Sequence, residues 1–137
     1  MRILIIDDDP SSTDLLKLML QSITPEIIAS NSSSEGIALA RKYAPEITII
    51  NLMMPVIDGI EVCREIRKFS LKPILALSAI NQPELVASAL DAGADDFLSK
   101  PVGRSMLTTR VLGLMRRSPE REMRDLFPSP SFTASNL

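Results

Sequence analysis

Apolar positions fall along this chain in two alternating rhythms. Residues 2–7 hold an unbroken apolar run, Ile3 to Ile6, without helical spacing, which is the pattern of a short strand buried on both faces. Asp9-Pro10 then offers an N-cap followed by a proline suited to a first helical turn. Leu15, Leu16, Met19, Leu20 and Ile23 recur at helical spacing and predict a helix to about Ser22. Glu26–Ala29 reads as a brief strand, and Ser32 and Glu35 stand at capping-box spacing ahead of Ile37, Leu39 and Ala40. Ile47–Ile50 is a third, β-branched run, followed by a loop over 51–59 with Pro55 and Gly59 and an amphipathic stretch from Ile60 to Lys68. Pro73–Leu77 and Gln82–Asp91 repeat the unit, with Pro83 near a helix start and Gly93 just past its end. Asp96–Ser99 is the fifth strand, and Met106, Leu107, Val111, Leu114 and Met115 form the stripe of a last helix ending near Arg117.

Five strands, each followed by a helix within residues 1–117, predict an α/β fold: one domain with a doubly wound parallel sheet covered on both faces. In such sheets ligands bind beyond the carboxyl ends of the strands at the topological switch point, so chemistry is expected at Asp7, Asn51, Ser78 and Lys100. Residues 118–137, with two Ser-Pro pairs and a polar end, read as a tail or a linker to an output domain outside this chain.

Composition narrows the function. The chain has 137 residues, 45% of them hydrophobic and 23% charged, enough to build one core and too apolar for bulk disorder. Net charge is −2, and no basic block exceeds Arg116-Arg117, so direct nucleic-acid binding lacks its electrostatic footprint. With one cysteine, Cys63, and no histidine, an intrachain disulfide and a structural zinc site are excluded, and a metal here must be a hard ion held by oxygen. Cys63 fits a small core filler on the third helix. The N-terminus is too short in apolar run and wrongly flanked for a signal peptide or membrane span, which makes a cytoplasmic protein the expectation.

Adjacent carboxylates at Asp7 and Asp8, where a strand ends, suggest a divalent-cation pocket or an acid pair, with helix capping already supplied by Asp9. Lys100, ending the fifth strand before Pro101, would reach toward that pocket; Ser78 offers a hydroxyl that alone reads as a turn residue.

Together these residues resemble the receiver domain of two-component response regulators, over Met1 to Arg117. ILIIDDDP (3–10) resembles the family's first strand with its acidic pair, and NLMMPVIDG (51–59) the loop that holds the phosphoacceptor. ALSA (76–79) resembles the strand-four hydroxyl motif and AGADDFLSKP (92–101) the fifth strand with its lysine. The resemblance implies a flavodoxin-like fold with strand order 2-1-3-4-5 and a non-enzymatic signalling role. It implies Asp7 and Asp8 as the acidic pocket, with Asp8, position 51 and the Met53 carbonyl as Mg²⁺ ligands. It also implies Ser78 and Phe97 as switch residues, Lys100 as partner of the acceptor or its phosphoryl group, and a cis bond before Pro101.

One position departs from the family: Asn51 stands where receivers carry the acceptor aspartate. A neutral amide is too weak a nucleophile to form an acyl phosphate, so position 51 is not expected to take phosphate. Losing a negative charge weakens Mg²⁺ binding, and the amide is free to accept from Lys100 while donating to Asp7 or Asp8. Asp58 is expected to cap the next helix. The sequence admits a natural pseudo-receiver and an asparagine introduced into an ordinary phospho-accepting receiver. A small Mg²⁺-dependent phosphatase using Asp7 or Asp8 as nucleophile is the alternative from another class.

The resemblance implies a histidine kinase or another signalling protein as partner. It places the exchange surface on helix four, strand five and helix five, with Asp96 and Arg110 matching a pair that crosses the family's homodimer interface. Met106 sits where such receivers often carry glutamate, which removes part of that charge pattern.

Overall fold

The computed structural model describes residues 1–117, so the expectation of a tail at 118–137 lies outside the described residues. Strands β1 (Ile3–Ile6), β2 (Ile27–Ser30), β3 (Ile47–Asn51), β4 (Ile74–Ser78) and β5 (Asp96–Ser99) alternate with five helices. These are α1 (Pro10–Leu20), α2 (Ser33–Tyr43), α3 (Gly59–Arg67), α4 (Pro83–Asp91) and α5 (Arg104–Arg116). All strand pairs are parallel, in the order β2-β1-β3-β4-β5. The predicted strand over Glu26–Ala29 lies one residue further on, because Thr24 Oγ1 takes the Glu26 N–H and pairing with β1 starts at Ile27.

Two clusters of apolar side chains, one on each face of the sheet, make the core. Because alternate strand residues face opposite ways, Leu4, Ile6, Ile50, Ile74 and Ala76 pack toward α2, α3 and α4 through Ala40, Val62, Cys63, Ile66 and Ala89. Ile3, Ile5, Ile47, Ile49, Leu75 and Leu77 pack on the other face against Leu16 and Leu20 of α1 and Leu107, Val111 and Leu114 of α5. Strands β1, β3 and β4 are buried over their whole length, which explains their continuous apolar runs.

Two residues of the predicted helical stripes are corrected. Leu15 is 53% and Met106 50% exposed. Leu16 and Leu107 already fill the sheet-facing positions, so the preceding residue on each helix, rotated about 100° away, points outward. Leu15 instead lines a shallow apolar groove with Met19, Ala79, Pro101 and Val102.

The helix starts follow local chemistry. Asp9 accepts from the Ser11 N–H at 3.0 Å with Pro10 opening α1, Ser32 accepts from the Glu35 N–H, and Asp58 accepts from the Glu61 N–H at 2.9 Å. Gly59 is required by close approach: a Cβ there would collide with the backbone of Asn51 and Leu52. That contact sets the entry of α3 directly behind the end of β3.

Candidate functional site

The crossover that sends β2 to one side of β1 and β3 to the other puts the carboxyl ends of β1 and β3 next to each other, forming the switch-point crevice. Asp7 and Asp8 leave β1 there, and Asn51 closes β3. Lys100 arrives from the end of β5, 93 residues from Asp7 in the chain.

Asp7 is the anchor. Its side chain is 2% exposed, and both oxygens are engaged. Oδ2 accepts from Lys100 Nζ at 2.8 Å, while Oδ1 accepts from the Asp9 N–H at 3.0 Å and from Asn51 Nδ2 at 3.3 Å. A carboxylate so buried needs a counter-charge and donors, and this arrangement supplies both. Asp8 beside it is exposed and accepts from the same amide at 3.3 Å. A third acceptor, the Met53 carbonyl, lies 3.1 Å from Asn51 Nδ2. The Asn51 NH₂ therefore faces three oxygens, an orientation its surroundings impose, since the amide oxygen turned inward would meet only other acceptors.

The expectation that Lys100 donates to Asn51 is corrected: Lys100 Nζ pairs with Asp7 and reaches Ser12 Oγ at 3.3 Å. An ammonium gains more from a full carboxylate charge than from a neutral amide oxygen, all the more where that carboxylate is shielded from water. The Lys100-Pro101 peptide is cis.

Ser78 joins this cluster through its backbone, its carbonyl accepting from the Lys100 N–H at 2.8 Å. Ser78 is fully buried, and its Oγ accepts from the Ile80 N–H at 3.0 Å, closing a turn after β4. Phe97 is partly buried against the core cluster on the α2, α3 and α4 side of the sheet. Asp96 and Arg110 pair within the chain, Arg110 Nη1 to Asp96 Oδ2 at 2.6 Å, with both side chains partly open to solvent. Burial raises the Cys63 thiol pKa to about 12, which makes it a neutral packing group.

Sequence reasoning passed over three residues. Ser12, in the first turn of α1, is the second partner of Lys100. Asn31, just after β2, donates to the Asp7 carbonyl at 2.8 Å and to Thr13 Oγ1, bracing the loop that carries the acids. A polar residue directly after a strand in a parallel sheet is the signal that would have drawn attention to it. Val56 sits at φ 67 and is fully exposed, a β-branched residue in the left-handed region at the rim of the crevice, for which the sequence carried no signal.

As it is oriented here, Asn51 offers no oxygen to a Mg²⁺ ion. Mg²⁺ demands near-octahedral oxygen ligands, yet the point where Asp7, Asp8 and the Met53 carbonyl converge is filled by an NH₂ that donates to all three. Among the described residues no group of three or more His, Cys, Asp or Glu is arranged to hold a metal. No helix among them is long and apolar enough to cross a membrane.

Comparison with known proteins agrees with the fold. Residues 3–112 match the response regulator receiver domain family. Transcriptional regulatory protein AfsQ1 of Streptomyces coelicolor is 37% identical over 123 residues, covering 90% of this chain and 54% of AfsQ1. DNA-binding dual master transcriptional regulator RpaA of Synechocystis is 36% identical over 120 residues, covering 85% of this chain and 50% of RpaA. The chain thus spans about half the length of these relatives. A crystal structure of a putative response regulator from Chloroflexus aurantiacus superimposes with a TM-score of 0.79 at 30% identity, over 84% of this chain and 97% of that one. With the flavodoxin-like sheet order, the crevice at its switch point and a family match over most of its length, this chain belongs to the response regulator receiver domains of two-component signalling.

Proposed function

We propose that this chain is a receiver module that regulates a partner or an attached output domain through protein–protein contact, without accepting phosphate at position 51. The observation that carries this reading is the Asn51 side chain, whose NH₂ is spent on Asp7, Asp8 and the Met53 carbonyl. An acyl phosphate needs a carboxylate oxygen to attack phosphorus, and a resonance-stabilised amide offers neither the charge nor the basicity. Lys100 is the residue for balancing acceptor or phosphoryl charge, and here it is held by Asp7 and Ser12. The crevice is complete without a phosphoryl group and favours one state.

In this reading Ser78 and Phe97 are the switch pair of an ordinary receiver retained in place, and the partner is a histidine kinase or another signalling protein. Any DNA contact of the kind named for RpaA would lie outside residues 1–117, which carry thirteen basic and fourteen acidic residues. A homodimer through α4, β5 and α5 would use Asp96 and Arg110, and it would first have to open or share their 2.6 Å pair.

The test is intact-mass spectrometry after incubation with acetyl phosphate and Mg²⁺, on the parent chain and on Asn51→Asp. A phosphoryl adduct on the variant alone supports a receiver silenced at one residue. An adduct on the parent refutes the reading. An adduct on neither would mean that the crevice has changed beyond position 51, leaving a docking module with a single state.

A further inference from the structure

We propose that the Asn51 carboxamide is a built-in substitute for a divalent cation, so that this crevice is assembled without metal and responds to Mg²⁺ only when the amide is removed. The inference rests on the reading of position 51 given above and goes past it, from a missing nucleophile to a positive replacement. Three oxygens from three places, Asp7 Oδ1, Asp8 Oδ1 and the Met53 carbonyl, converge on one nitrogen at 3.3, 3.3 and 3.1 Å. Such a convergence of carboxylates and a carbonyl ordinarily calls for a cation, because the oxygens repel one another unless positive charge lies between them. Here the two N–H dipoles of the amide supply that positive potential, shared over three acceptors.

The same geometry opposes a metal. A cation entering this point must displace the NH₂ from all three oxygens and turn the amide so that its oxygen faces inward. It would then find two carboxylates, one of which, Asp7, already pairs with Lys100 at 2.8 Å. Mg²⁺ gives up its water reluctantly, and the hydrogen bonds lost in displacing the amide offset what it gains from these oxygens. The amide also ties the β1–α1 loop to the β3–α3 loop through Asp8 and Met53, two exposed residues, so it performs the cross-loop bridging that a metal would otherwise perform.

Replacing Asn51 by alanine separates a substitute from a weak ligand, because the two predict opposite signs. A weak ligand lost to Asn51→Ala lowers the response to Mg²⁺. A substitute lost to Asn51→Ala leaves Asp7 and Asp8 facing an open, negatively charged point, and raises it. The experiment is thermal unfolding of the parent, Asn51→Ala and Asn51→Asp with and without millimolar MgCl₂. It is paired with MnCl₂ titration read as paramagnetic broadening of the amide NMR signals of residues 7–9 and 53. The parent should shift by less than about 1 °C, while Asn51→Ala, less stable without metal, and Asn51→Asp should each rise by several degrees as binding couples to folding.

A parent that gains stability from Mg²⁺, or an alanine variant that responds no more than the parent, overturns the proposal. If Asn51→Ala folds under neither condition, the Mn²⁺ titration decides: any site-specific broadening in the parent overturns it, and broadening confined to Asn51→Asp supports it. Metal binding by the parent without a phosphoryl adduct would refute the substitute and leave the signalling reading intact, whereas an adduct on the parent would refute that reading.

Discussion

Lys100→Met is the perturbation whose cost is best defined by the structure. The Lys100 ammonium lies 2.8 Å from Asp7 Oδ2, and the two side chains are 24% and 2% exposed. At an effective dielectric of about 20 the gross attraction at this distance is about 6 kcal/mol, most of which repays the desolvation of both charges. Removing one partner of a buried pair costs about 3–5 kcal/mol. Asp7 would keep the Asp9 N–H and the Asn51 NH₂ as donors, and Lys100 is partly solvated, so the loss here should be smaller, about 2–3 kcal/mol. For a domain of this size that is a fall in Tm of about 10 °C. A double-mutant cycle with Asp7→Asn isolates the pair, with an expected coupling of about 1.5–3 kcal/mol from urea unfolding. The coupling should change little with added NaCl, because Asp7 is shielded from screening ions. Additivity of the two substitutions to within about 0.5 kcal/mol, or a coupling that vanishes in salt, would refute the argument that this is a buried charge pair.

Three further substitutions or measurements test other parts of the structure. Val56→Gly should raise stability by about 1 kcal/mol in urea unfolding, since a β-branched residue at φ 67 pays about 1–2 kcal/mol that glycine avoids, less the entropy glycine adds to the unfolded chain. Gly59→Ala should lower stability by more than about 2 kcal/mol, because its Cβ meets rigid backbone at the end of β3; a neutral result would mean that α3 can shift at no cost. Cys63, with its pKa raised from the usual 9.0 to about 12, should resist thiol reagents at pH 8 until the chain unfolds. Because the unfolded thiol ionises first, the native state binds more protons between these values. Stability present below pH 9 should therefore fall as pH rises toward 12, by up to about 1.4 kcal/mol per pH unit, a slope absent in Cys63→Ala.

The α/β alternation was legible in the chain, since a run such as Ile47–Ile50 suits a strand covered on both faces and the Asp9-Pro10, Ser32 and Asp58 signals act within one helical turn. The chemistry-bearing residues were legible for the same reason: strand ends in a doubly wound sheet are where side chains meet. Periodicity did not separate Leu15 from Leu16 or Met106 from Leu107, because several neighbouring positions on a helix satisfy the same spacing and only packing selects the one that faces the sheet. Pairing within the crevice was equally out of reach. Asn51 had both a donor and an acceptor to offer, and Lys100 had two candidate acceptors. The choice fell to the burial of Asp7, whose charge, cut off from water, claimed the ammonium and left the amide NH₂ to Asp8, Met53 and the remaining Asp7 oxygen. Local rules act over one turn or one strand, whereas the environment that ranks these partners joins residues 93 apart and exists only once β1, β3 and β5 lie in one sheet.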